Sequence, residues 1–305
     1  MKVVENQPAP ISPRVTVGLP VYNGAGYLER TARSVLDQTF GDLELVIADN
    51  ASTDETRDIC ERLAAEDGRV RYCPAESNLG AAWNYNRLVD LARGDMFKWA
   101  PHDDPVAPTF LERTVALLDG DPDAVLAYTG VRRIDEAGSD LGLDRVSIAT
   151  SMPSPTHRAR HVISRVKLAT PVTGLARLET LKKTRLIGSF PASDYVLLAE
   201  LALLGNILEE PEPLMFRRIH DESSRKVNDT KKSVQAWFDP RAKSWPLLSI
   251  RQRLMLEYMR SAWRIRSGLG SRLYSAAELG RAYAWTRTRV VAGRIRRDLV
   301  HSEGR

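Results

Sequence analysis

The fold is decided by residues 15–23, which read VTVGLPVYN. The first five are apolar or β-branched and favour a strand, whereas the proline, tyrosine and asparagine that follow favour a turn. Apolar residues then recur at helical spacing from Tyr27 to Leu36, and a second apolar run extends from Leu43 to Ala48. A strand, a helix and another strand in this order predict a βαβ unit.

The same alternation continues towards the C-terminus. Further strands are predicted at Val70 to Cys73, Met96 to Ala100, Ala124 to Tyr128 and Leu214 to Ile219. Further helices are predicted at Asp54 to Ala65, Leu79 to Ala92, Pro108 to Leu118 and Ser193 to Gly205, and a long loop at Gly138 to Pro155. Strands that alternate with helices predict an α/β fold with a mostly parallel sheet covered on both faces.

The length and composition suit one large domain with an appendage. The chain has 305 residues and is 43% hydrophobic, which is enough to bury a full core. We predict a flexible segment at 1–13, a catalytic domain at 14–232 with halves at 14–130 and 131–232, and a basic helical region at 233–305. No signal or membrane-spanning pattern is recognised, so a cytoplasmic protein is expected.

The C-terminal region carries most of the positive charge. Residues 241–305 hold 15 arginines and lysines against four acidic residues, which gives +11. Four tryptophans lie in or near it, at positions 237, 245, 263 and 285. Two interpretations stay open: peripheral contact with the inner face of a membrane, or packing of the tryptophans on the catalytic domain. Nucleic-acid binding is not expected, because no known module is present.

Polar residues follow the predicted strands at the points where each strand ends. The groups are residues 20–23, 49–54 and 101–105, and residues 193–195 form another at a predicted helix start. Ligands of open parallel sheets bind beyond the carboxyl ends of the strands. These groups are therefore the candidate site.

In their order and spacing these motifs resemble the inverting glycosyltransferases of family 2, whose nucleotide-binding half has the GT-A fold. Residues 18–23 are similar to the family's Val-Pro-x-Tyr-Asn, and residues 49–54 to its acidic residue followed by Gly-Ser-x-Asp. Residues 78–80 with Asn86 match Asn-x-Gly and a later Asn, and residues 102–104 match Asp-x-Asp with histidine in the first position. The resemblance extends from residue 14 to residue 224.

The resemblance implies roles for individual residues. Asp104 and His220 are predicted ligands of Mg²⁺ or Mn²⁺, which would neutralise the leaving diphosphate. Asp194 is the predicted general base that takes the acceptor proton. The residues predicted to bind the donor nucleotide are Pro20, Tyr22, Asn23, Asp49, Asn50, Ser52, Asn78, Gly80, Asn86, His102, Asp103 and Arg218.

Other interpretations of these residues are structural. Asp54 is placed to cap the following helix, Asp103-Asp104-Pro105 can be a turn, and Asp194 can be a helix-start acid favoured by the dipole. A nicotinamide-linked dehydrogenase is disfavoured because Glu29 replaces the third glycine of the dinucleotide fingerprint. A glycoside hydrolase is disfavoured because adjacent carboxylates cannot flank a glycosidic bond.

The predicted function is transfer of a sugar from a uridine or thymidine diphosphate sugar to a saccharide, lipid-linked or small-molecule acceptor. Residues 138–165 are expected to shape the acceptor site. Two alternatives are a nucleotide-sugar-binding protein that has lost catalysis, and a protein that binds membrane surfaces through its basic tail.

Overall fold

The computed structural model describes residues 12–144, 147–221, 231–240 and 249–302. Its strands are β1 Val15–Val21, β2 Leu43–Asp49, β3 Val70–Pro74, β4 Met96–Trp99, β5 Ala124–Ile134, β6 Asp140–Asp144, β7 Leu175–Arg177 and β8 Asn206–Arg218. Its helices are α1 Ala25–Leu36, α2 Thr56–Glu66, α3 Ala81–Leu91, α4 Phe110–Gly120, α5 Pro155–Arg165, α6 Leu178–Lys182, α7 Ser193–Leu204, α8 Lys231–Phe238, α9 Ile250–Ile265 and α10 Leu269–Ser302.

The described strands form one sheet in the order β3-β2-β1-β4-β7-β5-β6, with β8 beside β5. The first four strands are parallel, so their carboxyl ends lie at one edge. All seven residues of β2 are buried, and successive side chains enter opposite cores: Leu45 and Ile47 one, Val46 and Ala48 the other. Helices therefore cover both faces, and the predicted α/β fold is confirmed.

The second half of the sheet departs from the parallel pattern. Strand β7 pairs antiparallel with both β4 and β5, and β8 runs parallel to β5. The prediction of a continuous loop from 138 to 155 is wrong, because β6 forms within it against the end of β5. Strand β6 lies at the edge and is largely exposed, so its pairing depends on backbone groups of β5 and leaves little local signature in the sequence.

The C-terminal helices pack against the catalytic domain. Leu254, Tyr258 and Ala262 of α9, with Leu279 and Tyr283 of α10, join the core that also contains α5 and α7. Among the described residues, no helix is long and apolar enough to cross a membrane.

The tryptophans of this region differ in exposure. Trp237 on α8 is 37% exposed, Trp263 on α9 is 45% exposed and Trp285 on α10 is 64% exposed. Trp245 lies outside the described residues. The buried contact of α9 and α10 with the domain is made by leucine, alanine and tyrosine side chains.

A buried lysine links β4 to the acceptor half of the domain. Lys98 Nζ donates to the backbone oxygens of Thr173 at 2.5 Å and Trp99 at 3.2 Å, and it lies 4.3 Å from the centre of the Phe110 ring. The side chain is 1% exposed. Burial lowers the Lys98 pKa to about 7, and the negative charge of Asp104 only partly opposes this shift.

This shift predicts that stability depends on pH. Above pH 7 the folded chain holds Lys98 neutral, whereas the unfolded chain keeps this proton up to the ordinary lysine pKa of 10.5. Stability should therefore rise with pH, by about 2 kcal/mol between about pH 7 and pH 9 from this residue alone. Urea unfolding of the wild type and of Lys98→Met at several pH values measures the effect. The two stability curves should diverge as pH rises, and parallel curves would contradict the shifted pKa.

Candidate active site

The first two strand ends are tied together by their loops. Asn23 adopts a left-handed backbone conformation, with φ of 50°, and its Oδ1 accepts the Thr53 N–H at 2.8 Å. The Asn23 N–H donates to Ser52 Oγ at 2.8 Å. Pro20 is buried within β1, whereas Tyr22 is 45% exposed at the rim. The exposed Tyr22 ring is thus accessible for a ligand to stack on.

Asp49 anchors the loop after β2. Its Oδ1 accepts the Ser52 N–H at 2.9 Å and the Ser52 hydroxyl at 2.6 Å, and its Oδ2 accepts the Tyr72 hydroxyl at 2.9 Å. The residue is 1% exposed. A carboxylate can accept about four hydrogen bonds, so these contacts leave room for one more donor. The predicted contact with a nucleobase NH stays a prediction.

Asn50 and Asn78 hold the next loop. Asn50 Nδ2 donates to Asn78 Oδ1 at 2.8 Å, and Asn50 Oδ1 accepts the Leu79 N–H at 3.1 Å. Gly80 has φ of +89°, and a Cβ there would approach the Phe238 backbone oxygen to 2.4 Å. Close packing against the end of α8 therefore requires a glycine at this position. The buried Asn50 amide is hydrogen-bonded to Asn78 and Leu79 of the loop.

Asp54 joins two helix starts. Its carboxylate accepts the Thr56 N–H at the start of α2 and the Ala25 N–H at the start of α1, both at 3.1 Å. The structural role predicted for this residue is therefore present, and it extends to a second helix.

Asn86 joins helix α3 to the loop before α7. Its Nδ2 donates to the Ile187 backbone oxygen at 2.8 Å, and its Oδ1 accepts the Ile187 N–H at 2.9 Å. Both ends of the amide therefore bond one peptide backbone, which gives Asn86 a structural role. The predicted contact with the donor stays a prediction.

Replacing Asn86 tests whether this residue holds the loop at Ile187 or contacts the donor nucleotide. Asn86→Ala leaves both Ile187 backbone groups without their partner, which should cost about 1–3 kcal/mol of unfolding free energy. Nucleotide affinity should stay within about twofold of the wild type, an order-of-magnitude limit for a residue without ligand contact. Urea denaturation and nucleotide titration of the same preparation measure both. A large loss of nucleotide affinity without a loss of unfolding free energy would support the donor contact.

The segment after β4 meets the end of β8. Asp104 Oδ1 accepts the Arg218 backbone N–H at 2.8 Å, and Asp103 Oδ2 lies 2.9 Å from His220 Nε2. The His220 ring packs against Tyr27 at a tilt of 58°, with centroids 4.7 Å apart, and its buried Nδ1 has no hydrogen-bond partner in the described residues. Two predicted sites 117 residues apart therefore form one cluster.

His102 packs on the start of α1. A Cβ at Gly24 would come within 2.6 Å of its ring. The ring is only partly buried, and its predicted nucleotide contact stays a prediction.

Arg218 has a structural role in this cluster. Its guanidinium donates to the backbone oxygens of Asp103, Asp135 and Glu136 at 2.8–3.2 Å. It is buried and lies over the Tyr27 ring at 5.0 Å. These three bonds order the acidic loop, and the predicted contact of Arg218 with the donor stays a prediction.

The two aspartates carry unfavourable negative charge. Burial raises the Asp104 pKa well above its ordinary value, and the neighbouring Asp103 raises it further, against the Arg218 N–H bond and the more distant Arg217 and Lys98. A divalent cation at Asp104 would relieve this repulsion.

The residues present fit such a cation. The described residues contain no group of three or more acidic, histidine or cysteine side chains that could hold a metal. Asp104 and His220, with its unpartnered Nδ1, would therefore supply two ligands at most. Mg²⁺ is commonly held by one or two carboxylates while water and phosphate oxygens complete its coordination.

A cleft of about 500 Å³ lies between α3, the start of α7 and α8. Asp194 lies on its wall at the start of α7, and its Oδ1 accepts the Tyr195 N–H at 3.0 Å. The other walls come from residues 169–173, 187–192 and α8. Residues 138–165 are not among the described residues that line this cleft, since α5 packs against α7 and α10, and the expectation that they shape the acceptor site stays a prediction.

Tyr85 lines the same cleft as Asp194, and the sequence analysis missed it. Its ring centre lies 6.3 Å from that of Trp99, at the end of β4. Burial raises the pKa of its phenol, and the negative charges of Asp103, Asp104 and Asp194 raise it further. Its position next to Asn86 was the only sequence signal.

Comparison with known proteins agrees with this arrangement. The model of the family described as "Glycosyl transferase family 2" matches residues 16–174. An uncharacterized glycosyltransferase of Rickettsia felis is 35% identical over 132 residues, 42% of this chain and 21% of that protein. The putative teichuronic acid biosynthesis glycosyltransferase TuaG of Bacillus subtilis is 33% identical over 129 residues, 42% and 51% respectively. The match thus spans about half or less of these relatives.

Solved structures share the fold. S. aureus TarS 1–349 in complex with UDP-GlcNAc has a TM-score of 0.57 and 15% identity, with 92% of each chain covered. The mannosyltransferase PcManGT of Pyrobaculum calidifontis, in complex with GDP-Man and Mn²⁺, has a TM-score of 0.55 and 16% identity over 93% of this chain and 80% of that one. The fold and the strand-end site define the GT-A class of glycosyltransferases. This chain belongs to glycosyltransferase family 2.

Proposed function

We propose that this protein transfers a sugar from a nucleoside diphosphate sugar, with a uridine or thymidine diphosphate as the leaving group, and inverts the anomeric carbon. One observation carries the proposal: the Arg218 N–H bond to Asp104 and the 2.9 Å contact of His220 with Asp103 bring two carboxylates and an imidazole together just after β4, the strand whose carboxyl end lies beside that of β1. The candidate base Asp194 lines the neighbouring cleft together with Tyr85.

The proposed reaction is a direct displacement. The acceptor oxygen bonds to the anomeric carbon as the bond from that carbon to the diphosphate oxygen breaks, and the diphosphate leaves with the electron pair. The Asp194 carboxylate takes the acceptor proton. Because attack and departure occur on opposite faces of the sugar, the configuration inverts.

Asp104 and His220 would hold Mg²⁺ or Mn²⁺. The cation would neutralise charge on the departing diphosphate. Asp103 keeps His220 in place through its 2.9 Å contact, and the Arg218 N–H keeps Asp104 in place. The complexes of related folds with UDP-GlcNAc and with GDP-Man and Mn²⁺ support this class of donor and cofactor.

The cleft lining favours an acceptor with an apolar portion. Ala169, Val172, Pro191, Trp237 and Phe238 are among the lining residues, and Asp194 is the one acidic residue among those that the structure describes there. A purely polar saccharide would leave much of this surface without favourable contact. Among the predicted acceptors, a lipid-linked saccharide or an apolar small molecule therefore fits better than a free saccharide.

Asp104→Asn tests the donor and metal site. The amide keeps an acceptor for the Arg218 N–H but loses the charge, so metal-dependent nucleotide binding should weaken by about 100-fold or more. Isothermal titration with UDP, dTDP and GDP, each with and without Mn²⁺, measures this. Because the Asp104 pKa is raised, wild-type binding should also weaken as pH falls, since protons compete with the cation.

Glu136→Gln is the matched control, since it removes an exposed negative charge from a loop next to the same cluster. It should bind nucleotide like the wild type. Binding of nucleotide to Asp104→Asn with an unchanged dependence on Mn²⁺ would exclude Asp104 as a ligand.

Asp194→Asn tests the base. Nucleotide affinity should be retained, because Asp194 lies on the acceptor side, whereas the transfer rate should fall by about 100-fold or more. Release of nucleoside diphosphate from a donor found by titration measures the rate. Glu179→Gln on α6 is the control, because it removes a highly exposed carboxylate. Transfer by Asp194→Asn at the wild-type rate would exclude this base, and a wild type that binds nucleotide but transfers no sugar would indicate lost catalysis.

A further inference from the structure

The loop before α7 forms one wall of the cleft and leads to Asp194. It joins α6 to α7, and its residues 187 and 191–192 line the cleft. Leu186 and Ala192 both have a left-handed backbone conformation, with φ of 57° and 64°. Residues other than glycine hold this conformation only where surrounding contacts enforce it. The shape of the loop therefore depends on contacts from outside the loop.

Arg185 anchors this loop in a largely buried ion-pair network. Its N–H donates to Glu200 Oε2 of α7 at 2.8 Å, and its guanidinium Nε donates to Oε1 of the same carboxylate at 2.9 Å. The other guanidinium nitrogens reach α9, where they bond the Glu257 carboxylate, the Glu257 backbone oxygen at 3.1 Å and the Ser261 hydroxyl at 2.8 Å. The Ser261 hydroxyl also bonds Glu200 Oε1 at 2.7 Å. One guanidinium thus joins the loop, α7 and α9.

Both carboxylates of this network are buried, and each has arginine partners. Glu200 is 0% exposed and Glu257 is 4% exposed. Arg264 of α9 pairs with Glu200 at 2.6 Å and donates to the Lys183 backbone oxygen at 3.0 Å, at the start of the loop. Arg260 pairs with Glu257 at 3.0 Å. The negative charges are therefore compensated where water does not reach them.

A second contact of α9 reaches the loop close to Asp194. The Arg253 guanidinium lies 4.4 Å from the centre of the Phe190 ring. The Phe190 backbone oxygen accepts the N–H of Ser193, the first residue of α7, at 3.3 Å. Asp194 is the next residue along the chain. Helix α9 therefore contacts the loop near its beginning and near its end.

Docking of α9 alone would not require buried charge. Leu254, Tyr258 and Ala262 already bury this helix against the domain. Apolar residues in place of a buried ion-pair network often give the same stability or more, because the charges lose their hydration on burial. An ion-pair network adds direction, since its bonds form only at particular distances and angles. The network therefore suits a role in fixing the position of the loop.

We propose that α9 is a positioning element of the active site: through Glu257 it holds Arg185 and, with it, the loop that leads to Asp194. This inference rests on the proposed role of Asp194 as the base. No residue of α9 is among the described residues that line the cleft, so the helix acts through the loop and not on a ligand.

Arg185→Lys tests the proposal while keeping the positive charge between the buried carboxylates. A single ammonium group cannot reproduce the planar fork that joins α7 to α9, so the loop should loosen. The Ile187 N–H, which donates to Asn86, should then exchange with solvent at least about fivefold faster. Hydrogen exchange of the full chain, followed by mass spectrometry of the loop peptides, measures this without a substrate.

The same variant should slow transfer without weakening donor binding. Release of nucleoside diphosphate from the donor found by titration should have a kcat about tenfold lower or less, because the base is displaced from the acceptor. The KM for the donor should stay within about twofold, since no donor contact is removed. A variant that is only less stable would keep the wild-type kcat at a temperature where it is fully folded.

Two glutamates of the C-terminal helices give a matched pair of variants. Glu257→Gln weakens the network and should reproduce both effects of Arg185→Lys. Glu278→Gln on α10 also removes a largely buried carboxylate that pairs with two arginines, but these are Arg160 of α5 and Arg281 of α10. It should leave exchange in the loop and the transfer rate at their wild-type values. Circular dichroism and thermal unfolding establish that each variant is folded.

Unchanged exchange in the loop of both Arg185→Lys and Glu257→Gln would overturn the proposal. Faster exchange with an unchanged kcat would overturn it too, because the loop would then move without affecting the base. An equal effect of Glu278→Gln would show that the helices act only through stability. A wild type that binds nucleotide but transfers no sugar would contradict the proposed function, and the exchange comparison would still decide whether α9 holds the loop.

Discussion

The active site depends on one connection across the sheet, between the loop after β4 and the end of β8. The Arg218 N–H bond to Asp104 and the contact of His220 with Asp103 join these segments directly. Backbone bonds from Phe216 to Pro105 and from Ala107 to Leu214 continue the connection away from the site. Without it, the acidic loop would be held only by its own strand, and two adjacent carboxylates would repel each other with no fixed partner.

The strand ends could be predicted because their signals are local. Apolar runs such as residues 43–48 end at polar residues, and parallel strands place those ends together whatever the details of the loops. The same argument places Asp49, Asp103 and Asp104 at the carboxyl ends of β2 and β4. It also placed Asp194 at the start of α7, where the helix indeed begins.

The side-chain partners could not be predicted, because each depends on residues far away in the sequence. The Asn86 amide is taken by Ile187, 101 residues later, and the Arg218 guanidinium by carbonyls 82 to 115 residues earlier. The sequence of a motif is the same whether its asparagine or arginine contacts a ligand or a backbone carbonyl. Strand β6 is a similar case, since its backbone partners belong to β5.

Polar links between the two halves fix the position of the acidic cluster after β4 relative to Asp194. Asn86 fixes the loop before α7 to α3, and Lys98 fixes the turn at Thr173 to β4. Both links run from the donor half to walls of the cleft that contains Asp194. Transfer in a single displacement requires the base and the leaving group to be held on opposite sides of one carbon, so small shifts of either half would slow it greatly. Polar links of this kind are directional, unlike apolar packing, and they therefore fix the relative position of the two halves more narrowly than burial alone would.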